Sequence, residues 1–207
     1  ADQPSDADGD NVSDLTDADD DNDGIDDLLD PFALDPLNGA GTPIPFRYDW
    51  ENGSQSPGGI SNLGFTGLMT NGVDDYLELF DLDEMTVSGA AGVLTVDSVP
   101  AGDPIKAINN QQYAFQLGIN VTPASPIFTA HTRVLAPFSG ISPAEYQSIG
   151  FFIGKGDQDN YIKLVANTIG ASGGLQFLKE HKGGIKASQQ QSANVFGADA
   201  IDLYLDV

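Results

Sequence analysis

Asp6, Asp8, Asp10, Asp14 and Asp17 recur thirteen residues later as Asp19, Asp21, Asp23, Asp27 and Asp30, so two copies of D-x-D-x-D-x-x-x-D-x-x-D stand in tandem. The phase extends to apolar positions, with Val12 matching Ile25 and Leu15 matching Leu28. A composition-biased tail would not keep that register. Hard cations explain the spacing: calcium takes about six to eight oxygen ligands. A loop offering carboxylates at positions 1, 3, 5, 9 and 12 and a backbone carbonyl at position 7 wraps one ion. Position 6 must turn sharply, usually through the left-handed region that glycine and asparagine tolerate, and it is Asn11 in the first copy and Gly24 in the second. Position 7, which supplies its carbonyl and can turn its side chain inward, is Val12 or Ile25. Position 12 is aspartate rather than a bidentate glutamate, which implies weaker, structural calcium and no sensor role.

The competing reading is a solvated, disordered acidic linker, the usual fate of blocks of like charge; phase kept over two copies favours the metal. Five carboxylates within about 5 Å of one another repel by roughly 0.8 kcal/mol per pair even at the dielectric constant of water, roughly 8 kcal/mol over ten pairs. Residues 1–35 are therefore expected to unfold without cations.

Composition narrows the partners. Of 31 acids, fourteen lie in the first 40 residues with no Lys or Arg among them, and the rest of the chain holds 17 acids against 8 basic residues. A chain of net charge −23 with no cluster of cations along its sequence is expected to repel nucleic acid and anionic lipid. No hydrophobic run approaches the roughly 20 residues that span a bilayer, so no membrane insertion is expected. The absence of cysteine leaves the redox compartment open. Calcium loops point to the outside of the cell, where that ion is abundant, and the chain reads as a piece of a longer exported polypeptide with further domains.

Beyond the loops, a Pro/Gly-rich linker over residues 36–45 leads into a segment, 46–207, long enough for one self-sufficient core. Short runs rich in Val, Ile, Phe and Tyr alternate with Gly/Pro/Asn/Ser turns, which predicts an all-β sandwich or barrel. The runs are Phe46–Trp50, Tyr76–Phe80, Gly92–Val96, Tyr113–Val121, Ile127–Leu135, Ser148–Gly154, Tyr161–Asn167, Leu175–Glu180 and Ala200–Val207. Period two is clearest in the last, where Ile201, Leu203 and Leu205 oppose Asp202, Tyr204 and Asp206. Pro143–Gln147 is expected to form at most one helical turn.

The stretch DADGDNVSDLTDADDDNDGIDDLLDP, Asp6 to Pro31, resembles thrombospondin type 3 repeats without the cysteines that staple the animal versions. The resemblance implies calcium ligands at Asp6, Asp8, Asp10, Asp14, Asp17, Asp19, Asp21, Asp23, Asp27 and Asp30, with carbonyls from Val12 and Ile25. The strings NNQQYAFQLGINV, FTAHTRVLAPF and QSIGFFIGKGDQDNYIKLVANTIGASGGLQFLKE resemble the concanavalin A-like lectin/glucanase superfamily, especially bacterial laminin-G-like modules. That likeness implies a two-sheet antiparallel jelly roll whose first and last strands, Phe46–Trp50 and Ile201–Val207, pair.

Glucanases of this fold carry E-x-D-x-x-E on one strand, and a retaining pair needs carboxyl groups about 5–5.5 Å apart. The nearest string here places Glu78 and Asp81 on opposite faces of a regular strand, with Asp83 and Glu84 in a turn, so no catalytic residue is assigned. Only two histidines exist, His131 and His181, and there is no Gly-x-Ser-x-Gly elbow. What remains is a binding face. Jelly rolls that hold sugars set aromatic rings on apolar sugar faces and amides or charges on hydroxyls, and the candidates are Tyr48, Trp50, Gln116, His131, Arg133, Tyr161 and Lys163. Each has a plainer reading, Trp50 above all as a core residue. Asp157 and Asp159 sit in a tip that holds a third calcium or is an ordinary Asx-rich turn. The expected function is a non-catalytic, calcium-stabilised, glycan-binding module of a secreted or surface protein. The alternatives are a structural spacer or a protein-contact adhesion domain and, last, a hydrolase.

Overall fold

In the computed structural model, two runs form strands with the bounds their pattern predicts, β6 (Ser148–Gly154) and β7 (Tyr161–Asn167). The structure describes residues 6–14, 16–24, 26–27, 36, 67–68, 85–88, 93–96, 99–112, 114–116, 119 and 121–207. Among these every regular element is a strand and all pairing is antiparallel. The described residues fall into two compact units, residues 1–104, 108–124 and 156–158 forming one and 105–107, 125–155 and 159–207 the other.

In the first unit, β1 (Gly67–Leu68) pairs with β4 (Phe115–Gln116), and β2 (Met85–Ser88) forms a hairpin with β3 (Val93–Val96). The run Tyr113–Val121 contains β4, with residues 113, 117, 118 and 120 outside the described residues, and neither β1 nor β2 was among the predicted runs. In the second unit, β6 and β7 continue through β8 (Gly174–His181) into β9 (Gly184–Ser192), a four-stranded meander. β5 (Thr129–Leu135) pairs with β10 (Ala200–Asp206), Thr129 facing Asp206 and Leu135 facing Ala200. Phe46–Trp50, the partner expected for the last strand, lies outside the described residues. At Pro143–Gln147 the chain makes a turn closed by the Gln147 N–H donating to the Ala144 carbonyl at 3.5 Å.

β9 has none of the apolar alternation that announces a strand, and geometry explains it. Lys182 (φ 53°) and Gly183 (φ 64°) join His181 to Gly184 in a two-residue loop with both central residues left-handed. Such a turn matches the twist of a hairpin and commits the next residues to a ladder. The polar run then pairs with β8 along its length, and its one irregularity lies opposite Lys179 and Glu180.

The two sheets of the second unit face each other. Leu203 of β10 is 2% exposed, and a Cβ on Gly150 of β6 would lie 3.0 Å from its Cδ1, so a glycine lets the sheets approach there. Alternation along β10 holds: Leu203 is buried, Ile201 and Leu205 are half-buried, and Asp202, Tyr204 and Asp206 face solvent. At the end of the sandwich Phe138, Ala166 and Val195 form a buried cluster with Leu175, Ala193, Phe196 and Ile201 against it. The Phe138 and Phe196 rings meet edge to face at 6.0 Å and 84°. Leu178, 1% exposed, is among the most completely buried side chains. Truncating it should cost about 3 kcal/mol, transfer plus cavity, whereas Ile127→Ala at a position 83% exposed should stay within about 0.5 kcal/mol. Urea denaturation of both variants checks the pair; equal losses would contradict this core assignment.

Candidate functional site

The thirteen-residue repeat of the sequence is a repeat of backbone geometry. Position 6 is left-handed in both copies, Asn11 at φ 75° and Gly24 at φ 94°. So is position 4, Gly9 at 77° and Asn22 at 60°, a second turn that the spacing had not singled out. These reversals aim N–H groups inward. The carboxylate at position 1 accepts from position 6, Asn11 to Asp6 at 3.2 Å and Gly24 to Asp19 at 2.9 Å. Position 3 accepts from position 5, Asp10 to Asp8 at 3.0 Å and Asp23 to Asp21 at 3.1 Å. Position 9 accepts from position 2, Ala7 to Asp14 at 2.8 Å and Asp20 to Asp27 at 2.9 Å.

This folding brings Asp6, Asp8 and Asp10 together, and Asp19, Asp21 and Asp23 together, with one carboxylate oxygen of each residue within 4.8 Å of the others in its group. Two oxygens bound to one calcium at about 2.3–2.6 Å are at most about 5 Å apart, so each group fits a single ion of that size. The donors are all hard oxygens, with no thiolate or imidazole that would suit a softer metal. The second group is better enclosed: Asp21 is buried and Asp19 and Asp23 half-buried, against exposed Asp6 and Asp10 in the first.

Other predicted ligands lie elsewhere. Asp14 and Asp27 are buried, each with its Oδ1 on the position-2 N–H, and neither joins a converging group. Asp17 turns toward the next copy, where its Oδ1 accepts from Ala18 at 2.7 Å and Asp19 at 3.2 Å. The copies are also tied by the Asn22 side-chain amide, which donates to Asp8. The Val12 side chain is 39% exposed and does not turn inward. Ile25 and Asp30 lie outside the described residues.

On the sandwich, Thr129, His131 and Arg133 share the exposed face of β5, as their alternation predicts. Register sets Asp202, Tyr204 and Asp206 beside them. The His131 and Tyr204 rings stack at 4.2 Å and 12°, and Tyr204 is 61% exposed. The Asp202 carboxylate lies 2.9 Å from the His131 Nε2 and accepts from Arg133 at 3.3 Å, and Thr129 donates to Asp206 at 2.7 Å. Tyr204 was missed as a face residue because the sequence marked it only as the polar side of a strand.

Tyr161 is a correction. It is 3% exposed, its hydroxyl donating to Glu180 at 3.3 Å, so it presents no surface to a ligand. Glu180, 2% exposed, also accepts the Lys106 N–H at 2.7 Å. Lys163 is half-buried and His181 exposed. Tyr48, Trp50 and Glu78–Glu84 fall outside the described residues, as does the Gln116 side chain. In the tip, Gln158 is buried and exchanges two hydrogen bonds with the Gln111 backbone at 3.0 and 3.1 Å. Asp157 and Asp159 on either side of it belong to no converging group of three acids among the described residues.

Compared with family models, with characterised proteins and with solved structures, the chain finds no match.

Removing charge from the best-enclosed group separates its two roles. Asp21→Asn relieves repulsion from two neighbouring carboxylates, so the metal-free loop should gain about 1 kcal/mol, while affinity for calcium falls at least about tenfold. Thermal unfolding in chelator and calorimetric titration with calcium measure the two effects, and a loss of stability in chelator would contradict the repulsion argument.

Proposed function

We propose that this chain is a non-catalytic, calcium-stabilised module of a secreted or cell-surface protein, and that its β-sandwich binds carbohydrate. The observation carrying the calcium half is the duplication itself: three hydrogen-bond pairs and two left-handed positions recur at an offset of thirteen residues, each time gathering three carboxylates. Carboxylates so placed are at odds with their own repulsion until a cation lies between them. Weak, all-aspartate loops suit an environment of millimolar calcium, which supports the extracellular assignment. The resemblances to thrombospondin type 3 repeats and to a jelly roll agree with this reading.

The carbohydrate half rests on the β5–β10 face. A half-exposed tyrosine stacked on a histidine offers a flat apolar surface, and Asp202, Asp206 and Arg133 around it offer partners for hydroxyls. A structural spacer is the second reading, favoured by the way Asp202 already occupies both the His131 ring nitrogen and the Arg133 guanidinium.

Calorimetry should find calcium dissociation constants of about 0.1–1 mM, with chelation loosening residues 6–27 as read by amide hydrogen exchange. In a glycan array with calcium present, Tyr204→Ala should lower every signal at least about fivefold, an aromatic contact of roughly 1 kcal/mol or more, while Tyr161→Phe leaves the signals unchanged. Silence across the array would favour the spacer; calcium-independent exchange rates would defeat the metal reading.

A further inference from the structure

Folding redistributes the charge that composition assigns to the chain. The second unit carries seven Lys and Arg against six Asp and Glu; the other 25 acids of the chain lie elsewhere, with Arg47 as their one basic companion. The expectation that cations are nowhere clustered fails already in the sequence, where Lys179, Lys182 and Lys186 fall in one eight-residue stretch, and folding brings others to them.

Five of the seven meet at one end of the four-stranded sheet. Lys155 begins the β6–β7 tip, where its N–H donates to the Asn160 carbonyl at 3.3 Å. The same tip holds the β8–β9 turn: Lys182 N–H donates to the Asn160 side chain at 3.1 Å and Gly183 N–H to the Asp159 carbonyl at 3.2 Å. Lys186 folds back over that turn, its Nζ lying 3.4 Å from where a Cβ on Gly184 would be. Lys106 is brought in by its N–H on Glu180 and by its carbonyl, 3.7 Å from a Cβ built on Gly183. Lys179 stands two residues before the turn, opposite Ala187.

All five lysines are exposed, as is His181 among them. Among the described residues the ion pairs are those of Asp202 with His131 and Arg133, and none of the five lysines makes one. Glu180 is buried at this end, Asp157 and Asp159 are half-buried in the tip, and the Asp159 Oδ1 lies 3.2 Å from where a Cβ on Gly183 would be. Among the described residues these five exposed ammonium groups have no carboxylate partner, which leaves them open to an anionic ligand.

We infer that this end of the sheet binds an acidic polysaccharide, a sugar chain carrying carboxylate or sulfate groups. The inference rests on the carbohydrate-binding reading and names the ligand class on a different surface of the same sandwich. Register places Gln189 opposite Phe177 and Gln191 opposite Leu175, on the face that Lys179 shares, and both glutamines are exposed. The cationic end thus runs into a row of amides suited to sugar hydroxyls. A duplex presents a charge about every 1.7 Å and needs a long basic track, whereas five cations at one sheet end suit the sparser charge of a uronic or sulfated chain.

The full chain, saturated with calcium, is titrated at low and at physiological salt with an oligogalacturonate, its neutral methyl ester and a short DNA duplex. The oligogalacturonate should bind, the ester at least about tenfold more weakly, and salt should weaken the first selectively. Lys155→Glu with Lys186→Glu should cost roughly tenfold and flatten the salt dependence, while Lys155→Arg with Lys186→Arg keeps both; thermal unfolding confirms that each variant is folded. Duplex DNA binding as tightly as the oligogalacturonate overturns the inference, and so does an affinity indifferent to the glutamate pair. If the ester binds as well as the acid, the cationic site falls and the carbohydrate reading stands. If neither binds, the cationic site falls, and the glycan array with Tyr204→Ala decides the carbohydrate reading separately.

Discussion

Six aspartates in two groups of three keep their oxygens within 4.8 Å of one another at the front of this chain, and the fold there is arranged around that repulsion. Left-handed residues at positions 4 and 6 turn N–H groups onto the carboxylates, so Asp6, Asp8, Asp19 and Asp21 each accept from the backbone. Such hydrogen bonds stabilise the charged form of a carboxylate but leave the net negative charge in place. The buried Asp14 and Asp27 extend the scheme by closing each loop on its own second residue. Glycine and asparagine occupy the four left-handed positions because a branched or bulky side chain would be strained there.

The sandwich solves a different problem. Its second unit is nearly neutral, and burial of Leu178, Leu203, Val165 and the Phe138–Phe196 pair supplies the cohesion. Polar groups are admitted to the interior only with partners. Asn167 and Gln190 exchange amide hydrogen bonds at 2.9 and 3.1 Å, and in the first unit Gln158 does the same with the Gln111 backbone. Cations left over from this economy of pairing collect where two hairpin turns meet.

Period two and turn residues were enough to read most of the second unit from sequence. β6 and β7 match their predicted bounds, and β5, β8 and β10 match within one or two residues. β9 escaped because alanine, serine and glutamine carry no strand signal; its partner strand and the turn before it decide its conformation. The acidic loops were legible as spacing, including the left-handed position 6, but the reach of Asp14, Asp17 and Asp27 to backbone N–H groups was not. A carboxylate beside a loop offers its oxygens to whichever donor folding brings near, and spacing is silent on that choice. Tyr161 misled for a related reason. Aromatic residues with a polar tip serve equally on a face or in a core, and the acceptor that draws the hydroxyl inward, Glu180, is nineteen residues away.

Glu180 links these observations. It closes β8 at the point where the β8–β9 register shifts, and a carboxylate there would ordinarily face water at a strand end. Turned inward, it accepts from Tyr161 of the adjacent strand and from Lys106 of a distant loop, held in a left-handed conformation at φ 55°. The irregularity opposite Glu180 adds a residue to β9, Lys186, which is free to fold back over the turn because it has no partner in the ladder. One buried acid thus removes a negative charge from the surface of the sheet end and anchors one lysine there by its backbone. The bulge beside it supplies another. The positive character of that end joins a lysine-rich turn, Lys179, Lys182 and Lys186, to lysines that the folding around Glu180 brings in from elsewhere.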